Sequence, residues 1–231
     1  MRKLGLLIAL ILTGIFYSVL LLYFLDKPLF HNLILHCIIM GILYGVTNFI
    51  IFAIYEKKLD KVKRLNEQLT FSLRMDNLTE LLNRRAFDQD TKKVKNNGVY
   101  SLIFLDIDNF RDFNNHFGHA TGDMVLKKVG KTVKACVRAT DRVYRYGGEE
   151  IVLFLLDCEK ANAIRMAEKI RVEIGKLDNG DFPQITVSLG VSSYPDDGRS
   201  IRDVIAASDK ALLKAKLSGK NCTVTIHNEC N

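Results

Sequence analysis

Two apolar runs without a charged residue, 4–25 and 33–55, open the chain. At roughly 1.5 Å per helical residue, each is long enough to cross a hydrocarbon core of about 30 Å. The pattern therefore predicts two membrane-spanning helices. The short polar connector 26–32 would fold them into an antiparallel hairpin occupying residues 1–55. Arg2 and Lys3 precede the first run, as in a signal peptide, but the run is too long for an h-region and ends Leu22-Tyr23-Phe24-Leu25, with no small-x-small cleavage site. An anchor is the preferred reading. After Tyr55 the period becomes that of a polar helix. Tyr55, Leu59, Val62, Asn66, Leu69 and Leu73 alternate by four and three, an a/d seam that predicts a coiled-coil signalling helix over 56–75. Asn66 at an a-type position favours a two-stranded register.

Strand and helix periods interleave across the remainder, 76–231. Strands are expected at 99–105, 143–146, 151–156, 184–192 and 222–226, and helices at 122–137, 161–177 and 201–217. One tight hairpin around Gly147-Gly148 interrupts the alternation. The expected class is thus α+β, with a ferredoxin-like antiparallel core rather than a doubly wound sheet.

Charge refines the membrane reading. A formal net charge of +7 would suit nucleic acid, but much of the excess lies at Lys57, Lys58, Lys61, Lys63 and Arg64, beside the second span. Anionic membrane lipid is the simpler partner there, and no nucleic acid is expected. With Arg2 and Lys3 at the other open end, the positive-inside rule places both termini in the cytoplasm. Gly41 and Gly45 form a G-x-x-x-G pattern that suits either pairing between chains or a groove filled by the first span. His36 and Asn48, polar at membrane depth, are expected to bond between helices. The five cysteines lack metal-ligand spacing and are expected to be reduced thiols.

Candidate chemistry is acidic. Asp106-Ile107-Asp108 closes the 99–105 strand, and residues two apart on a strand share a face. Glu149-Glu150 follows the Gly-Gly pair at the hairpin tip, where glycine permits the turn and close approach of a ligand. Either pair alone suits solvated loop carboxylates. Together, a hairpin tip beside a strand end could gather carboxylates around Mg²⁺, a hard ion that favours oxygen and implies a phosphate substrate. Lys216 and Lys220 could supply cations for that phosphate, or merely complement a helix C-terminus.

Over 76–226 the motifs, in order, resemble the GGDEF family of diguanylate cyclases. They are Asp76-Asn77-Leu78-Thr79-Glu80-Leu81-Leu82-Asn83-Arg84-Arg85; Asp106-Ile107-Asp108-Asn109-Phe110-Arg111 with Asn114, Phe117-Gly118-His119 and Gly122-Asp123; Arg145-Tyr146-Gly147-Gly148-Glu149-Glu150-Ile151; Ser188-Leu189-Gly190-Val191 and Pro195-Asp196-Asp197-Gly198; then Ala215-Lys216 and Gly219-Lys220-Asn221. The resemblance implies a nucleotide-cyclase-type GGDEF catalytic domain that condenses two GTP into cyclic di-GMP and releases pyrophosphate.

Carried over residue by residue, it implies that Asp106 and Glu149, with the Ile107 carbonyl, hold Mg²⁺, with Mn²⁺ as the alternative ion. Asn114 and Asp123 would bind guanine. Backbone amides near Asn109 and Phe110, with Lys216 and Lys220, would hold the triphosphate. Glu150 would assist deprotonation of the ribose 3′-hydroxyl, with Asp108 as a supporting acid. Arg138 and Asp141 match the family's inhibitory R-x-x-D product site. One chain holds one GTP, so a homodimer is implied, in a multi-pass protein of the bacterial cytoplasmic (inner) membrane with the catalytic domain in the cytoplasm. Three positions depart from the family pattern: Ile151 for the final Phe, Asn115 where Asp is frequent, and Lys220 for a frequent Arg, which loses bidentate phosphate geometry. None removes an expected metal ligand. The rival readings are a silent nucleotide receptor, a structural membrane adaptor, or a cyclase making a different cyclic dinucleotide; the presence of Asp106, Glu149 and Glu150 disfavours the silent receptor.

Overall fold

A computed structural model of the protein describes residues 2–25, 33–94 and 98–226. The chain divides into two compact units, Met1–Thr70 and Phe71–Asn231.

The first unit holds α1 (Arg2–Leu25) and most of α2 (Leu33–Ser72), a single 40-residue helix that continues from the apolar run through the polar one. The two helices touch through Tyr17, whose ring meets Tyr44 edge-on at 5.6 Å and whose hydroxyl hydrogen-bonds Thr47 Oγ1 at 3.1 Å. Elsewhere large apolar side chains such as Leu12, Phe16, Ile42 and Phe49 lie exposed. Among the described residues one helix, Cys37–Asn66, is long and apolar enough to cross a membrane by length and composition, beside a shorter apolar stretch, Ile8–Leu20. The two-span expectation is therefore met by one such helix, and the connector 26–32 lies outside the described residues. Among the described residues nothing comes within 4 Å of a Cβ built at Gly41 or Gly45, so no described α1 side chain fills that groove. Asn48 Nδ2 donates to Tyr44 O of its own helix at 2.8 Å, not across helices; the His36 side chain lies outside the described set.

The second unit carries β1 (Leu82–Asn83), α3 (Arg84–Thr91), β2 (Tyr100–Ile107), α4 (Phe110–Phe117), α5 (His119–Cys136), β3 (Arg142–Arg145), β4 (Glu150–Leu156), α6 (Lys160–Gly175), β5 (Val187–Tyr194), α7 (Ile201–Leu217) and β6 (Thr223–Thr225). The sheet order is β1-β3-β4-β2-β5-β6. Strands β3, β4, β2 and β5 pair antiparallel, while β1 joins β3 and β6 joins β5 in parallel. The run β2–α5–β3–β4–α6–β5 is the βαββαβ unit of a ferredoxin-like fold.

Every residue of β2 is buried, because helices cover both faces of the sheet. Ile103, Leu105 and Ile107 pack with Val125, Val129 and Val133 of α5 and Ile170 and Ile174 of α6. The alternate residues Leu102 and Phe104 pack on the other face with Phe87 of α3 and Val204 and Leu212 of α7. Two-sided burial thus explains an almost unbroken apolar string. Helix α7 starts where expected because Ser200 and Asp203 form a capping box.

Three short elements escaped the periodicity: β1, α3 and α4. Helix α4 has the sequence Phe-Arg-Asp-Phe-Asn-Asn-His-Phe, too short and polar for a clear period, although Phe110, Phe113 and Phe117 do mark one face. Cys37, Cys136 and Cys158 are free, whereas Cys222 is disulfide-bonded, which departs from the reduced-thiol expectation there.

Candidate active site

The expected acids meet at the end of the central strand. Asp106, 6% exposed, is the penultimate residue of β2 and stands in register with Glu150 on β4 and Ser188 on β5. Lys216, in the last turn of α7, places Nζ 2.8 Å from Asp106 Oδ2, an ion pair that sequence reading did not foresee. Burial pushes the Asp106 carboxyl above its ordinary range; Lys216 pulls it down, and the nearby charges of Glu149 and Glu150 push it up again. The net rise comes first from burial, and the neighbouring acids add a smaller push. A divalent cation would favour the ionised form of such a buried carboxylate. Among the described residues no three His, Cys, Asp or Glu side chains form a ready metal cluster. Of the ligands expected from the sequence, Asp106 stands at the strand end opposite Glu150, and Glu149 and Ile107 adjoin that pair in the chain.

The hairpin tip is held in shape from both sides. Tyr146 N and Gly147 N both donate to Glu150 O, at 2.8 and 3.3 Å. A Cβ at Gly147 would collide with Glu150 Oε2, so glycine there lets the Glu150 side chain fold across the turn. Arg145 donates from Nε and Nη2 to Gly148 O, at 3.2 and 2.9 Å, and from Nη1 to both oxygens of Asp76, at 3.1 and 3.2 Å. Asp76 also accepts from the backbone and hydroxyl of Thr79. Burial alone would raise the Asp76 carboxyl, but the Thr79 and Arg145 contacts outweigh it and hold it below its ordinary range. The first motif thus braces the signature hairpin.

The expected phosphate-binding groups flank the acids. Asn109 precedes α4 at φ +54°, and its side chain makes no cap hydrogen bond to the helix, which leaves the first-turn amides from Phe110 onward open to an anion. Asn109 Oδ1 instead accepts from Lys220 Nζ at 2.5 Å. Lys220 lies in a tight loop where Gly219, Lys220 and Asn221 have φ of +111°, +65° and +47°.

The expected guanine-binding residues straddle the α4–α5 junction, which turns at Gly118 (φ +82°). Asn114 Oδ1 is buried with no hydrogen-bond partner among the described residues. It packs so closely over α5 that a Cβ at Gly122 would overlap it. An orphaned acceptor costs free energy unless a donor arrives, and a guanine edge carries donors. Asp123, next to Gly122, is exposed.

Arg138 and Asp141 lie apart from this site, in the turn before β3. Arg138 N donates to Asp141 Oδ2 at 3.0 Å and Asp141 N to Arg138 O at 3.1 Å, and the Arg138 guanidinium is in no ion pair among the described residues. Arg138 and Asp141 line two cavities of about 590 and 230 Å³, the larger also lined by Lys134 and Arg142 and the smaller by Arg165 and Lys169. A buried network that sequence reading missed lies beside it. Asp90, 4% exposed, accepts from Arg74, Arg142 and the Tyr144 hydroxyl. Burial and the Asp90 charge push the Tyr144 phenol well above its usual value.

A ferredoxin-like sheet with acids at the end of its central strand and at the neighbouring hairpin defines the class of domain. The chain belongs to the family described as "Diguanylate cyclase, GGDEF domain", whose model matches residues 73–222. It is 38% identical to diguanylate cyclase DgcM of Escherichia coli K12 over 164 residues, covering 69% of this chain and 40% of that one. It is 36% identical to the uncharacterised protein YhcK of Bacillus subtilis, covering 68% of this chain and 46% of that one. The chain therefore spans less than half the length of these relatives. Among solved structures, the coiled coil and GGDEF domain of DgcB from Caulobacter crescentus in complex with c-di-GMP matches with a TM-score of 0.64 at 29% identity, covering 75% of this chain and 98% of that one. The active GGEEF domain of a diguanylate cyclase from Vibrio cholerae matches with a TM-score of 0.54 at 31% identity, covering 63% and 92%.

Proposed function

We propose that the protein is a membrane-anchored diguanylate cyclase that joins two GTP molecules into cyclic di-GMP with release of pyrophosphate. The observation that supports this reading is the buried Asp106 at the end of β2, in register with Glu150 of the signature hairpin and ion-paired to Lys216. Asp106, Glu149 and the Ile107 carbonyl would hold the divalent ion, Mg²⁺ or Mn²⁺. When bound, that ion supplies Lewis-acid polarisation of the α-phosphate and lowers the pKa of the attacking hydroxyl. Glu150 accepts the 3′-hydroxyl proton. Asn114, through its unpaired Oδ1, and Asp123 select the guanine edge. Lys216, Lys220 and the first-turn amides of α4 orient the triphosphate and stabilise charge on the leaving pyrophosphate. Asp108 supports the site. Each chain holds one GTP, so catalysis needs two chains face to face, and the apolar seam of α2 serves that pairing.

Two spans, 4–25 and 33–55, would anchor the chain in the bacterial cytoplasmic membrane against anionic lipid, with the catalytic unit in the cytoplasm. The unpaired Arg138 guanidinium, with Asp141, would bind the product and restrain turnover. The test is incubation of the purified full chain with GTP and Mg²⁺. Pyrophosphate and cyclic di-GMP should appear, and Glu149→Ala should abolish both. Binding of GTP without turnover by the unaltered chain would instead make it a receptor.

A further inference from the structure

In sequence, Asp108 resembles a second carboxylate for the ion held by Asp106. Its hydrogen bonds point elsewhere. Oδ1 accepts from Ser188 Oγ at 2.6 Å; Oδ2 accepts from Thr186 Oγ1 at 2.7 Å and from Asn221 N at 3.0 Å. Its own N–H donates to Thr186 O at 2.9 Å. Both oxygens are committed, on one side to the start of β5 and on the other to the loop after α7. That loop carries three successive residues at positive φ, two of them non-glycine. Left-handed backbone at such residues costs on the order of 1 kcal/mol each and persists only where the surroundings enforce it. Two groups enforce it here. Arg171 holds Asn221 through its carbonyl and side-chain oxygens, and the Asp108 carboxylate holds its N–H in a charge-assisted bond. One residue earlier, Lys220 reaches back to Asn109, which opens α4. Asp108 therefore sits between the acid-bearing strand and both groups expected to meet the phosphates.

We propose that Asp108 is a positioning residue, not a metal ligand: its carboxylate ties the Lys220 loop to the end of β2 so that Lys220 and the α4 amides face the same triphosphate. This rests on the reading of the Asp106–Glu149 site as a GTP site. The test uses the full chain in lipid nanodiscs, with pyrophosphate release measured across GTP and Mg²⁺ concentrations, and calorimetric binding of a non-hydrolysable GTP analogue. Wild-type turnover checks the function itself, and its absence would sink that reading whatever the variants do.

Given an active wild type, Asp108→Ala is expected to raise KM for GTP, and Kd for the analogue, by about ten-fold, the scale of one charged hydrogen bond. The kcat and the half-saturating Mg²⁺ concentration should stay within about three-fold of wild type, a change worth well under one tenfold step. Asp108→Asn keeps an oxygen for the Asn221 N–H and should recover most of the loss. Lys220→Ala should cost as much as Asp108→Ala, and the double variant no more than either. The proposal is overturned by a collapse of kcat with a raised Mg²⁺ requirement that Asn does not rescue, by penalties that add in the double variant, or by an unchanged KM. Should Asp108→Ala fail to fold, Ser188→Ala removes one donor and is expected to raise KM about two- to three-fold, the scale of a neutral hydrogen bond; no rise there overturns the proposal as well.

Discussion

Replacing Gly122 by alanine separates the guanine site from the stability of the fold. The added methyl would overlap Asn114 Oδ1, lie 2.9 Å from Asn114 Cγ and 3.2 Å from Phe110 Cζ. The nearest obstacle is the free end of a side chain, so Asn114 swings away while the α5 backbone stays. Two stability terms then oppose each other. Alanine in a helix interior gains about 0.8–1 kcal/mol over glycine, and crowding beside Phe110 costs about 1–3 kcal/mol. The net change should lie within about 2 kcal/mol, a few degrees in Tm for a domain of this size. Displacing the Asn114 acceptor removes its proposed bond to the guanine edge, worth about 1–2 kcal/mol, or roughly five- to thirty-fold in KM for GTP. Inosine triphosphate, which lacks the 2-amino donor, should lose less than GTP. The assay is pyrophosphate release with each nucleotide, alongside a thermal melt. If KM for GTP is unchanged while Tm is also unchanged, Asn114 is not the base-reading group. If activity is lost only in step with unfolding, the α5 backbone has moved and the geometry described for this junction is wrong.

Other perturbations test the frame around the site. Tyr100 has a buried hydroxyl without a partner and a phenol pushed up to about 12 by burial, with Tyr194 and Asp203 adding to it. A raised folded pKa gives stability that is whole below the unfolded value near 10 and fades as pH rises toward 12; Tyr100→Phe should therefore keep stability at neutral pH and flatten that alkaline loss in denaturant titrations. Arg145→Met cuts the bonds to Asp76 and Gly148 and should cost about 2–4 kcal/mol in denaturant unfolding. Asp76 is held low, so its contribution exists above the ordinary carboxylate range and is lost as pH falls through its folded pKa; in Arg145→Met that acid loss should begin at higher pH. Gly190→Ala would drive a methyl into Leu212 N and Ser208 O, which are backbone atoms of α7 that cannot swing aside. It should destabilise by at least about 3 kcal/mol, the upper end of core overpacking, and a melt within a degree of wild type would refute that close approach.

Periodicity read the domain well where burial and period agree. The apolar string of β2 is buried on both faces, and the Ser200–Asp203 capping box marks the start of α7 in plain letters. Periodicity failed on α3 and α4, whose eight residues span about two turns and carry mostly polar side chains. The acids at Asp106, Glu149 and Glu150 could be nominated from local spacing. The role of Asp108 could not, because its partners Thr186, Ser188 and Asn221 lie 78, 80 and 113 residues further along the chain. The Lys216–Asp106 ion pair and the Asp90 network were hidden for the same reason. Near the N-terminus, hydropathy located both long helices, but only tertiary contact reveals that Tyr17 and Tyr44, rather than the Gly41–Gly45 groove, join them.

Asp106 and Glu150 are direct neighbours across a ladder of seven paired residues in the middle of the sheet. Sheet pairing acts as a ruler: a slip of one place would send Glu150 to the opposite face, so the spacing of Asp106 and Glu150 is graduated by the backbone. A centre gauged in this way has little play for an internal dimmer. If two such units must face each other, as proposed, control over the output falls on how often, and at what angle, they meet.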